Sequence, residues 1–205
     1  MSKSSHNLQS EKVIAYLEHI GFSASIQQRI GAFAVIWGLF ESNLENVLWL
    51  LKNENVEGVK PTTEGKPAGH LIDELSQLSG ILSIEAHKIL AVACSAAKEL
   101  ADYRHAIMHG TMLSLGGSVS FIRNPQWRGN LRKKPTHDAH VNENLLDIAI
   151  DCAGVLSNIL LAIQIEKTAA PISTAIEARW SDVQRCRSQA NELRHLTDLI
   201  NDERY

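Results

Sequence analysis

Three side chains near the middle of this chain could act on a phosphodiester. They are Arg104, His105 and His109, within the run Tyr103-Arg104-His105-Ala106-Ile107-Met108-His109-Gly110. A neutral imidazole can take or give a proton near pH 7. A guanidinium can grip a phosphate through two parallel hydrogen bonds and stabilise the charge that builds on a pentacoordinate phosphorus. The run closes an otherwise apolar helical pattern, and a glycine follows it. A blander reading needs no chemistry: cations at a helix C-terminus offset the helix dipole.

Helical geometry constrains how the three could cooperate. Successive residues turn by about 100°, so His105 and His109, one turn apart, share a face. Arg104 and His109 are five apart and diverge. Either the helix unwinds before Gly110, or a second copy of the chain completes the site across a two-fold axis. A metal site is the rival, because Asp102, His105 and His109 stand at i, i+3 and i+7. Three ligands from one helix are few for a metal site. The expectation is therefore no metal and no cofactor.

The charge distribution points the same way. The 205-residue chain has a net charge of −3, yet from position 103 to 137 it holds no Asp or Glu. That segment carries Arg104, Arg123, Arg128, Arg132, Lys133 and Lys134, or +6, which leaves −9 for the rest. A basic stretch in an acidic protein suggests a face for a polyanion. Trp127 beside Arg128 could stack a base while Arg123, Arg132, Lys133 and Lys134 hold the backbone of an RNA strand. Solvated surface is the alternative for this loop.

These residues need a scaffold, and the apolar spacing predicts a helical one. Short helices are expected over 8–20 and 68–78. Longer ones are expected over 25–52, from Ser83 as cap to His109, over 141–168, and from Pro171 to about position 200. Gly31 and Gly38 are expected to allow close contact between helices. After Gly110 the period changes: 111–115, Gly116-Gly117 and 118–122 read as a β-hairpin. Residues 123–140 read as an irregular basic loop. The expected fold is all-α, an antiparallel bundle of four main helices plus short ones. It forms a single domain over 1–205, with a hairpin and basic loop inserted at 111–140.

Composition bounds the rest. Hydrophobic residues make up 44% of the chain, a globular composition. No apolar run is expected to reach the roughly 18 residues of a membrane span; the longest candidates, 30–40 and 47–51, are interrupted by polar residues. The N-terminus lacks the apolar centre of a signal peptide, so a cytoplasmic location and no membrane partner are expected. Cys94, Cys152 and Cys186 share no metal-ligand spacing and read as buried free thiols.

The pattern Arg-x4-His at the end of a bundle helix, with a polar residue after the Arg and a Gly after the His, resembles the motif of HEPN domains (higher eukaryotes and prokaryotes nucleotide-binding). The run from Phe33 through Trp37 and Glu41 to Leu44, an aromatic followed by Glu-x-x-Leu, resembles the first long helix of bacterial HEPN-like proteins. The resemblance spans roughly 25–168. It implies a metal-independent endoribonuclease, often a toxin or antiphage defence effector, that leaves a 2′,3′-cyclic phosphate. It implies that His109 handles the proton, Arg104 holds the scissile phosphate and His105 fills the polar position. Tyr103 and Glu41 would support them, with Glu41 holding Arg104 or a histidine across the bundle. A buried salt bridge or a solvated side chain is the plainer reading of Glu41. A homodimer with a composite site, and an antitoxin or defence-system partner, are also implied. Some family toxins carry a Tyr two residues after the His as a target for adenylylation; here Thr111 stands there. The alternative function is a non-catalytic helical module that binds RNA, a nucleotide or a protein.

Overall fold

The structure is a computed structural model, and it describes residues 5–57, 61–78, 82–115, 118–123, 138–166 and 168–204. Among these, seven helices and three strands follow one another as α1 (Ser5–His19), α2 (Ala24–Lys52), α3 (Ala68–Gln77), α4 (Ile84–His109), β1 (Thr111–Leu115), β2 (Ser118–Ile122), β3 (Ala139–Val141), α5 (Glu143–Ile165), α6 (Ala169–Glu177) and α7 (Trp180–Arg204). The all-α expectation with a small β insertion holds. The four long helices α2, α4, α5 and α7 make the bundle. Helix α2 lies along α5, α5 meets α7, and α7 lies along α4; α3 and α6 cover the remaining sides.

Local chemistry explains where the helices start. Ser23, Ser83 and Asn142 each accept a hydrogen bond from the backbone N–H three residues on, at 3.3, 3.1 and 2.9 Å. Each thereby satisfies one of the donors that a helix start leaves open. Asn142 begins α5 two residues later than the apolar period suggests, because 139–141 is a strand. A break at Ala178 and Arg179 divides the expected last helix into α6 and α7.

The core is one cluster. Phe33, Trp37, Leu44 and Leu48 of α2 meet Leu146, Ile159 and Ile163 of α5, with Leu90 and Leu100 from α4. Polar ties fix the α2–α5 register: Arg29 donates to Asp147 at 2.8 Å and Asn43 donates to Ser157 at 2.9 Å. Contrary to the expectation from apolar runs, helix α5 is long and apolar enough by length and composition to cross a membrane; half of its most apolar window is buried inside the bundle, as in the core helix of a packed domain. Gly31 and Gly38 do not bring a neighbouring helix close. A Cβ on either would meet nothing within 4 Å.

The three strands form one antiparallel sheet in the order β1-β2-β3. Thr111 pairs with Ile122 and Leu115 with Ser118, the register of the expected hairpin; the turn residues 116 and 117 lie outside the described residues. The third strand falls in the stretch expected to be loop. It pairs Val141 with Val119 and Ala139 with Phe121. Phe121 packs edge-on against Phe22 at 6.2 Å, which seats the sheet beside the start of α2.

Candidate functional site

Helix α4 is regular to its last residue. The N–H of Gly110 still donates to the carbonyl of Ala106 at 2.7 Å, and the chain then turns to extended backbone (φ −80, ψ 161). Unwinding before Gly110 is therefore not how this chain resolves the divergence of Arg104 and His109. Five helical steps leave the two side chains about 140° apart. Gly110 is required for room rather than for an unusual φ. A Cβ there would lie 2.4 Å from the Ala106 carbonyl oxygen and 2.9 Å from Phe121 Cβ. The glycine lets β2 pass directly against the helix end.

The faces of the last turns divide the residues by role. Tyr103, Ala106 and Ile107 are buried in the core. Asp102, His105 and His109 are exposed, and Arg104 is half-buried on the flank. The rings of His105 and His109 touch, with centroids 4.6 Å apart and a 54° tilt. The Nε of Arg104 is buried and has no hydrogen-bond partner, and no carboxylate pairs with its guanidinium among the described residues. Buried donors in this state are uncommon in folded chains.

Arg123 occupies a place the sequence did not suggest. It was expected to grip RNA from a solvent-exposed loop. It lies at the end of β2 with only 9% of its surface exposed. Its Nη1 donates to the His109 carbonyl at 2.9 Å, and its Nη2 stands 2.9 Å from His105 Nε2. It thus satisfies one of the carbonyls that a helix C-terminus leaves open, and it supplies the cation that the dipole reading had given to Arg104 and His109. Its own backbone N–H donates to Oδ1 of the fully buried Asp138 at 2.7 Å. Burial of the ring pushes the pKa of His105 down, and the positive charge of Arg123 pushes it further.

Two supporting residues also have defined places. Tyr103 is buried; its hydroxyl donates to the His140 carbonyl at 2.9 Å, and its ring lies 6.3 Å from Phe33. It anchors β3 to α4 from the core side, away from the imidazoles, and burial pushes its phenol pKa up. Glu41 does not bond to Arg104 or to a histidine. Its Oε1 accepts the indole N–H of Trp37 at 2.6 Å, one turn back along α2. Trp127, Arg128, Arg132, Lys133 and Lys134 lie outside the described residues.

No group of three His, Cys, Asp or Glu side chains could hold an ion among the described residues, and Asp102 with His105 and His109 is no exception. A polar cleft, open to solvent, lies between α5 and the α6–α7 corner. Its arginines are already matched by carboxylates: Arg185 meets Asp151 at 3.5 Å and Asp182 at 3.7 Å, and Arg179 meets Asp182 at 3.8 Å. It offers no net cation to a phosphate.

Sequence spacing also missed a pair of thiols. Cys152 on α5 and Cys186 on α7 are both fully buried with their sulfurs 2.7 Å apart. Nothing in their separation along the chain points to this contact. In comparisons with known proteins, no family model, curated protein or solved structure matches the chain.

Proposed function

We propose that this protein is a metal-independent endoribonuclease of the HEPN type, built as a homodimer whose two copies each supply part of a composite site. One observation carries the proposal: the half-buried Arg104, whose guanidinium has no partner among the described residues, directly precedes the first of two touching imidazoles. Arg104 binds the scissile phosphate. His109 takes the proton from the ribose 2′-hydroxyl. The 2′-oxygen attacks phosphorus, the bond to the 5′-oxygen breaks, and that oxygen leaves with a proton from water. The product end is a 2′,3′-cyclic phosphate. Service as a toxin or antiphage defence effector with a neutralising partner fits such an activity.

The dimer follows from the angle between the two residues. A straight helix cannot aim Arg104 and His109 at one phosphorus, but two helix ends facing each other can pair the Arg of one copy with the His of the other. Taken alone, a single chain's described residues favour the second reading, a binding module, since Arg104 and His109 diverge and set no base in line with the phosphate that Arg104 would hold. One experiment separates the two. Arg104→Ala and His109→Ala are each inactive as homodimers. Mixed in equal amounts and allowed to exchange, they regain about a quarter of wild-type cleavage, because half the dimers are mixed and each holds one intact site. A mixture as inactive as its parents would show that the site is not shared. Tight RNA binding without cleavage by the wild type would favour the binding module.

A further inference from the structure

We propose that Arg123 is a positioning residue for this site: from the end of β2 its guanidinium clamps the last turn of α4 and holds His105 as a neutral imidazole protonated on Nδ1. The inference rests on the nuclease reading for its catalytic consequence, and on geometry alone for the clamp.

The two arms of one planar fork engage two residues a turn apart. Nη1 reaches the His109 carbonyl and Nη2 reaches His105 Nε2, each at 2.9 Å. A guanidinium has donors and no acceptor, so the Nε2 it meets must present a lone pair. The ring proton is therefore on Nδ1, which leaves His105 a single N–H to offer outward. The clamp has its own supports. Gly110 admits β2 to the helix end, and the buried Asp138 holds the Arg123 backbone N–H where the strand stops.

The consequence is an order of roles within the imidazole pair. The charged and titratable groups acting on His105 are Arg123 from the sheet, and His109, Arg104 and Asp102 from its own helix; among these only Asp102 favours the protonated ring. His105 stays neutral and leaves proton transfer to His109, whose ring it supports at 4.6 Å. The hairpin is then part of the active site's frame: it carries the residue that sets the tautomer. Lysine cannot replace that residue, since one ammonium lacks the planar two-armed reach.

Long-range proton–nitrogen correlation spectra of the imidazoles test the clamp in the wild-type protein, without RNA. His105 is expected as the Nδ1–H tautomer with a titration midpoint below that of a free imidazole, whereas Arg123→Met releases the tautomer and raises the midpoint. A wild-type His105 that carries its proton on Nε2, or titrates as a free imidazole, overturns the proposal even if no variant folds. The kinetic arm uses Arg123→Lys on single-stranded RNA. Loss of aim predicts kcat lower by roughly 10–100-fold with KM nearly unchanged. A raised KM at unchanged kcat would make Arg123 an RNA contact and overturn the positioning role. A wild type that cleaves no RNA would remove the nuclease reading, while the spectra would still decide the clamp.

Discussion

Replacing Gly110 with alanine should loosen the joint on which the site depends. Its φ of −80 suits any residue, so backbone strain is not the cause. The new methyl carbon would sit 2.4 Å from the Ala106 carbonyl oxygen, 2.9 Å from Phe121 Cβ and 3.2 Å from Phe121 backbone carbon. None of these is the tip of a flexible side chain. Forcing a methyl into such a contact costs about 1–3 kcal/mol. The Gly110–Ala106 hydrogen bond would lengthen, at a further cost of up to about 1 kcal/mol. The alanine restricts the unfolded chain, which returns about 0.4–1 kcal/mol. The net is a loss of about 1–3 kcal/mol, or roughly 3–10 °C in Tm for a chain of this size. Urea melts followed by circular dichroism read it as a lower midpoint at unchanged slope. The His105 resonances should shift in the same variant, because β2 and Arg123 move with the joint. A Gly110→Ala protein as stable as wild type would show that β2 does not press on the end of α4, and the account of the clamp would fall with it.

Gly38→Ala, on the open face of α2, should have the opposite sign, with stability raised by up to about 1 kcal/mol in the same urea melt. Glu74 is held at a pKa of about 2 by hydrogen bonds from Lys52 and Lys66. A depressed carboxylate stabilises above its unfolded pKa and loses that contribution as pH falls towards about 2. Because both lysine partners are about a third exposed and solvent screens the pairs, Glu74→Gln should cost only about 1 kcal/mol at pH 7, with the gap to wild type closing on acidification. The depressed pKa of His105 means that the unfolded chain takes up that proton first. Thermal stability should therefore fall as pH drops through 6.5, less steeply in Arg123→Met. Burial raises the Cys94 pKa to about 12, and the hydrogen bond with Cys186, together with burial, raises that of Cys152. All three thiols should resist alkylation in the native protein and react on unfolding; rapid native labelling of Cys152 or Cys186 would contradict the α5–α7 packing.

The helices were legible because their apolar positions repeat every three to four residues and their caps are local. Ser23, Ser83 and Asn142 each act within three residues of themselves. The hairpin was legible because its alternation breaks at two glycines. Strand β3 was not, since three residues carry too little period, and what makes them a strand is pairing with Val119 and Phe121 some twenty residues away. The same limit hid the site's frame. Arg104, His105 and His109 announce themselves by spacing along one helix, but Arg123 looks like one more cation in a basic loop until the sheet turns it inward. The buried Asp138 could have signalled this: it is the first carboxylate after an acid-free stretch, and it stands directly before the strand that returns to the helix.

The central claim is that the end of α4 cuts RNA with its own side chains. The most direct measurement is incubation of purified protein with single-stranded RNA in excess chelator, with the product ends identified by mass spectrometry. The account predicts fragments ending in 2′,3′-cyclic phosphate from the wild type, and none from Arg104→Ala or His109→Ala. Intact RNA with the wild type, or cleavage that persists in both variants, would contradict it.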